Sequence, residues 1–108
     1  MQKEEIDFFS LAQETLKQIS DNLEDLMEKK EIPYDLDIEY NGNDILEIKC
    51  ISGTYVININ NSIKEIWLSS PISGPDHFKH KQKKWTSKKS KKNLHILLND
   101  EFKKLFNH

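Results

Sequence analysis

Apolar residues recur every three or four positions at both ends of this chain and every second position through its middle. Phe9, Ala12, Leu16, Ile19, Leu23 and Leu26 form one stripe of an amphipathic helix; Leu94, Leu97, Leu98, Phe102 and Leu105 form another near the C-terminus. Between them Leu36, Ile38 and Tyr40 alternate with Asp35, Asp37 and Glu39, the period of a strand with one buried face. A chain of 108 residues has room for one core, since two domains would each be too small to bury one. Two striped helices and an alternating sheet each have one apolar side to hide, and each can hide it against the other.

Local signals divide the chain. Lys29 and Lys30 suit the C-terminal end of the first helix, where the dipole favours cations, and Pro33 forbids continuation. Asn41-Gly42-Asn43 is a hairpin turn. Residues 45–51 read as a second strand, 54–60 as a third after Ser52-Gly53, and 63–69 as a fourth after Asn60-Asn61-Ser62. A loop from Pro71 to Pro75 follows. A fifth strand near residues 76–80 and a short sixth around Trp85 are weakly signalled, because lysine crowds them. Ser90 is the expected N-cap of the closing helix. Short turns make sequential strands neighbours. The expected fold is α+β, a single domain over residues 1–108: a two-layer α/β sandwich, with an antiparallel sheet of five to six strands and the N- and C-terminal helices packed on one face.

The formal net charge of −2 hides a division. Residues 1–47 hold 14 Asp and Glu against 4 Lys, a net of −10, and residues 48–108 hold 4 acids against 12 Lys, a net of +8. Such a split points to ions or partners at each end. No apolar run approaches the ~20 residues that span a bilayer. Met1-Gln2-Lys3-Glu4-Glu5 has no apolar signal core, and without Arg it is unlike a mitochondrial transit peptide. The lone Cys50 suits a reducing compartment, and the expected location is the bacterial cytoplasm.

On a helix of 100° per residue, Glu14, Asp21, Asp25 and Glu28 point nearly opposite the apolar stripe, with Glu24 to one side. Asp35, Asp37 and Glu39 occupy the polar side of the first strand and, with its edge beside the helix, would extend the same field. An acidic helix face is most often simply a solvated one. Here helix and strand contribute separately, and no Lys follows Asp21, Glu24 or Glu28 at i+4, although Asp25 has Lys29. Carboxylates are hard ligands suited to iron, Mn²⁺, Mg²⁺ or Ca²⁺. With no EF-hand loop, His pair or Cys pair, the expected binding is weak and exposed, by carboxylates alone.

A second constellation lies downstream. Gly53-Thr54-Tyr55-Val56-Ile57-Asn58, then Lys64-Glu65-Ile66-Trp67-Leu68-Ser69-Ser70-Pro71 and Ser73-Gly74-Pro75, resembles the core of the frataxin family, including its bacterial CyaY-type members. Trp85 matches a second Trp of that family, and Leu94-His95-Ile96-Leu97-Leu98 with Glu101 resembles its closing helix. The match spans about residues 8–106 and is most specific in the central block. The resemblance implies a helix–sheet–helix fold and an iron-binding protein of iron–sulfur cluster assembly, acting as iron donor or as regulator. It implies weak binding of Fe²⁺ or Fe³⁺ by Asp21, Glu24, Asp25, Asp37 and Glu39, to which the helix and strand geometry adds Glu28 and Asp35. The implied partners are the cysteine desulfurase, facing the acidic ridge, and the scaffold protein, facing an open sheet surface with Asn58, Trp67 and His77. A monomer with iron-dependent oligomers is expected, without a membrane partner. No nucleophile–base pair is visible, so the chain is read as a non-enzyme, apart from a weak ferroxidase activity attributed to parts of the family.

Alternation supports this surface: if Ile66 and Leu68 face the helices, Trp67 faces solvent, a natural interface anchor. Trp67 in the core is the competing reading. Asn58 is polar in a strand whose other face is apolar, which shows exposure and no more. His80, His95 and His108 read as surface residues, and Cys50, on the face of Leu46 and Ile48, as a buried thiol. Ser20 stands where the family often carries an acid, so the iron cluster is thinner here. Eight lysines from Lys79 to Lys92 exceed the family's usual basicity. They read most simply as a solvated loop. The alternative function is a small Lys-rich nucleic-acid adaptor, with Phe78 or Trp85 stacking on bases, though missing Arg weakens it.

Overall fold

The computed structural model describes residues 7–32 and 36–106. A first helix, α1 (Phe8–Glu28), precedes strands β1 (Asp37–Tyr40), β2 (Ile45–Cys50), β3 (Gly53–Asn60), β4 (Glu65–Ser70), β5 (Gly74–Lys81) and β6 (Lys84–Ser87), and α2 (Leu94–Phe106) closes the chain. The six strands form one meander in the order β1-β2-β3-β4-β5-β6, each antiparallel to the next. The expected α+β sandwich is therefore present, with six strands.

Register explains which side is buried. Leu46 pairs with Ile57, Ile57 with Leu68, and Ile66 with Phe78, so these side chains form rows on one face of the sheet. They are fully or almost fully buried beneath Ala12, Leu16 and Leu23 of α1 and Leu94, Leu98 and Phe102 of α2. The residues between them, Glu47, Val56, Asn58, Trp67, Ser69 and His77, lie on the opposite, uncovered face.

Polar bonds fix the helices to the sheet. Glu101 of α2 is buried and accepts from Tyr55 Oη at 2.9 Å, Ser70 Oγ at 2.6 Å and Ser73 Oγ at 2.7 Å. Trp85 Nε1 donates to Thr15 Oγ1 at 2.9 Å, joining β6 to α1. Buried Asp76 accepts from Ser87 Oγ at 2.9 Å, joining β5 to β6. Among the described residues no buried side-chain nitrogen or oxygen lacks a partner, as a stable core requires. Gly53, at φ +132, packs so closely on the turn after β4 that a Cβ there would stand 2.9 Å from Pro71 Cβ.

Several expectations change. Gly74 and Pro75 belong to β5, where Pro75 opposes Ser69; a proline near the start of a strand forfeits one donor and little else. The N-cap of α2 is Asn93, whose Oδ1 accepts from His95 N at 2.8 Å. Ser90 is held back in the preceding loop: Ser87 Oγ gathers the amides of Lys89 and Ser90, and a bridge between Thr86 and Asn93 delays the helix. Cys50 is half-buried and donates to Gly53 O at 3.3 Å. His95 is half-buried in a cleft lined by Gln18, Asn22 and Asn99. His80 is exposed as expected, with its ring against Trp85. Pro33, Asp35 and His108 lie outside the described residues.

Candidate functional site

The acidic edge is built by the β1–β2 turn. Asn41 Oδ1 accepts from the amides of Asn43, Asp44 and Ile45, which closes the turn. Gln13 of α1 donates to Asn43 O at 3.3 Å, and Tyr40 Oη donates to Gln13 O at 3.4 Å. These bonds set α1 alongside β1. An open groove of about 620 Å³ runs between them, lined by Ser20, Glu24, Glu39, Tyr40 and Glu47 among others.

The groove gathers only some of the expected acids. Glu24 and Glu39 line it together. Glu47 joins them because it is the cross-strand partner of Glu39. Like charges directly opposite destabilise a sheet, so this pair has no structural benefit. The sequence held the signal for Glu47: counting back through the Asn41–Asn43 turn puts it opposite Glu39. Asp21, Asp25 and Glu28 are exposed on α1 outside the groove lining, and Asp37 faces Lys49 on the neighbouring strand. Ser20 is buried in the groove wall.

Two helix carboxylates are not bare. Lys17 Nζ lies 2.8 Å from Asp21, and Lys29 Nζ lies 3.0 Å from Asp25. Lys17 precedes its partner by one turn, so the counter-charge lies at i−4 and not at i+4. Hydrogen bonds to those carboxylates, followed by their charges, raise both ammonium pKa values. All four groups are more than half exposed, so the pairs are readily broken. Among the described residues no three His, Cys, Asp or Glu side chains stand close enough to hold one ion. The donor set is oxygen-only, open to water and not preassembled, a chemistry that captures a hard cation weakly and lets it go.

The uncovered sheet face carries the second group. Trp67 is half-buried, and its indole stacks on His77 with centroids 4.5 Å apart and planes 6° from parallel. Trp67 therefore stands outside the core, as alternation predicts. Its Nε1 donates to Glu65 Oε1 at 3.0 Å, and Lys88 Nζ donates to Glu65 Oε2 at 2.9 Å. His77 Nδ1 is 3.5 Å from the same carboxylate. These neighbours cover Glu65, leaving it 2 % exposed although it faces outward. Burial pushes its pKa up. The bonds from Lys88 and Trp67, with the charges of Lys88 and His77, outweigh that, and the net direction is below the ordinary 4.5. In the sequence Glu65 is only part of a motif; its place two residues before Trp67 on the same face of β4, held by Lys88 and His77 from other segments, makes it the support of Trp67. Asn58 is the direct partner of Trp67 on β3 and donates weakly to Asp44 O at 3.4 Å. The three residues expected at a partner surface, Asn58, Trp67 and His77, thus lie in one row across three strands.

The sequence matches the frataxin-like domain over residues 1–108. It is 38 % identical over 107 residues to the mitochondrial frataxin homolog of Schizosaccharomyces pombe, covering 94 % of this chain and 65 % of that protein. It is 35 % identical over 105 residues to mitochondrial frataxin of Arabidopsis thaliana, covering 94 % of this chain and 55 % of that one. The chain thus spans less than two thirds of the length of these relatives. The fold superposes with a TM-score of 0.77 and 30 % identity on trimeric frataxin from the yeast Saccharomyces cerevisiae, solved in complex with ferrous iron, over 100 % of this chain and 92 % of that one. Domain match, sequence identity and fold converge, and this chain belongs to the frataxin family.

Proposed function

We propose that this protein binds iron weakly at the α1–β1 edge and serves iron–sulfur cluster assembly, as a donor of iron or as a regulator of the assembly complex. The observation that carries the reading is that Glu24, Glu39 and Glu47 all border one open groove at the α1–β1 edge, with the exposed carboxylates of Asp21, Asp25, Glu28 and Asp37 on the elements that form it. The ferrous iron of the yeast trimer supports it, as does the family. Iron is cargo here, held by groups that can release it. The same carboxylates form the docking ridge for a basic patch of the cysteine desulfurase, and the row Asn58–Trp67–His77 meets the scaffold protein. The protein works without catalysis of its own. It is a monomer that self-associates when iron is added; the trimeric state of the yeast frataxin supports the capacity to self-associate. The compartment is a reducing one that houses cluster assembly. The sequence reading favours a bacterial cytoplasm, and the names of both relatives favour the mitochondrion.

The nucleic-acid alternative loses its physical basis. Phe78 and Trp85, the aromatics it needs for base stacking, are buried beneath the helices at 0 % and 4 % exposure.

Anaerobic titration with Fe²⁺, followed by amide NMR, tests the reading. Signals of residues 21–28, 37–39 and 47 should broaden, and Glu24→Gln/Glu39→Gln/Glu47→Gln should retain its fold and lose most of the broadening. An unchanged spectrum, or broadening centred elsewhere, overturns the site. For the partner surface, Trp67→Ala should keep the fold and weaken capture of the desulfurase–scaffold complex, whereas unfolding would make Trp67 structural. Capture through the acidic ridge should fade as salt screens it.

A further inference from the structure

Beyond His77, the β5–β6 hairpin takes no part in the acidic edge or in the Asn58–Trp67–His77 row. Some lysines have local partners: Lys17 and Lys29 pair with helix acids, Lys88 with Glu65 and Lys92 with Asp100, and Lys89 donates to Pro75 O. Among the described residues Lys79, Lys81, Lys83 and Lys84 have no carboxylate within ion-pair distance. Lys81 and Lys84 are cross-strand partners, directly opposite on the same side of the sheet. Lys79 shares that side, as do His77 and Trp67. Gln82 and Lys83 form the connecting turn at φ +50 and +66, a left-handed pair for which glycine or asparagine is the usual choice. Like-charge crowding and left-handed turn residues both work against this hairpin, and neither serves the core. Its base is nevertheless rigid: Phe78 and Trp85 are buried, and Trp85 is bonded to Thr15.

The hairpin is thus a fixed cationic surface without counter-charge among the described residues, bordering a stacked aromatic pair. We propose that it is a docking surface for an acidic segment of a partner protein. The segment lies across the uncovered face, its carboxylates on Lys79, Lys81 and Lys84 and an apolar side chain against the Trp67 ring. Two observations favour a segment on the face. The outer edge of β6 is already bridged to Asn93 at Thr86, which closes that point to strand addition. The cations also project on the side of Trp67. The opposite end of the same face carries Glu39 and Glu47, so an acidic segment is steered to β5–β6 and away from β1–β2. This surface borders Trp67, but it rests on the lysines and stands whether or not the acidic edge carries iron.

The test titrates the full chain, without iron, with short poly-L-glutamate at physiological ionic strength, read by amide and indole NMR. The expected result is saturable shifts at residues 77–86 and at the Trp67 indole N–H. Lys81→Glu/Lys84→Glu should weaken binding by about tenfold or more, whereas Lys103→Glu/Lys104→Glu on α2 should leave it unchanged. If the reversed pair disturbs the fold, Lys81→Gln/Lys84→Gln should give the same direction of effect. Absence of saturable shifts, or shifts spread equally over Lys103 and Lys104, overturns the proposal. So does tighter binding at residues 77–86 of an oligouridylate of equal charge or of phosphatidylserine vesicles, which would assign the surface to RNA or to a membrane.

Discussion

Glu101 shows how much one side chain holds. Its carboxylate is buried and accepts three hydroxyls, from Tyr55 on β3, Ser70 on β4 and Ser73 in the next turn. Burial, and then the bond to Glu101, push the Tyr55 phenol pKa up, so this network stays protonated on the phenol side across ordinary pH. Glu101→Ala would leave buried hydroxyls without an acceptor, and a loss of about 3 kcal/mol is expected in urea unfolding, against about 1 kcal/mol for Tyr55→Phe. Sequence alone placed Glu101 on the closing helix; its task depends on partners 46, 31 and 28 residues away, which no local pattern encodes. Trp67 was easier to read, because alternation along a single strand puts it opposite Ile66 and Leu68. Its support by Glu65, Lys88 and His77 was not, because those contacts cross strands.

The elements were legible in proportion to their periodicity. The long apolar stripe of α1 and the hairpin turn at Asn41–Asn43 are local signals, and both are where the pattern puts them. Lysine-rich β5 and β6 were faint, since their outward positions carry charge and only Phe78 and Trp85 mark the inward row. α2 is capped by Asn93 and not by Ser90, because a bridge from Thr86 to Asn93 overrides the capping preference of the earlier serine. The two readings separate experimentally: Asn93→Ala should cost about 1 kcal/mol and Ser90→Ala less than about 0.5, measured by chemical denaturation. Gly53→Ala should also destabilise, since its Cβ would meet the Pro71 ring, and a smaller residue at position 71 should recover part of the loss.

At the scale of the molecule the chain is an electrical dipole laid across one sheet, with Glu39 and Glu47 at the β1–β2 end and Lys81 and Lys84 at the β5–β6 end. Two groups contribute to its acid response in a definite direction. Burial lowers the pKa of His95 from 6.5, and Glu65 is held below 4.5. For both, the unfolded chain binds protons before the native one does, so each contribution is complete above the unfolded value and is lost as pH falls through the native one. Stability should decline as pH drops below 6.5 and again below 4.5, and His95→Gln should flatten the first decline in thermal unfolding while leaving the second. By itself the sequence determined the succession of elements, the inward face of each and the excess of acid in its first half, because periodicity, turn chemistry and charge are properties of neighbours along the chain. Only the tertiary structure decided that Glu47 borders the groove with Glu24 and Glu39, that Lys17 pairs with Asp21 while Lys81 and Lys84 have no counter-charge among the described residues, and that Phe78 and Trp85 are closed to ligands. Pairing register and helix packing bring those groups together or apart, and both are set by burial of the whole core.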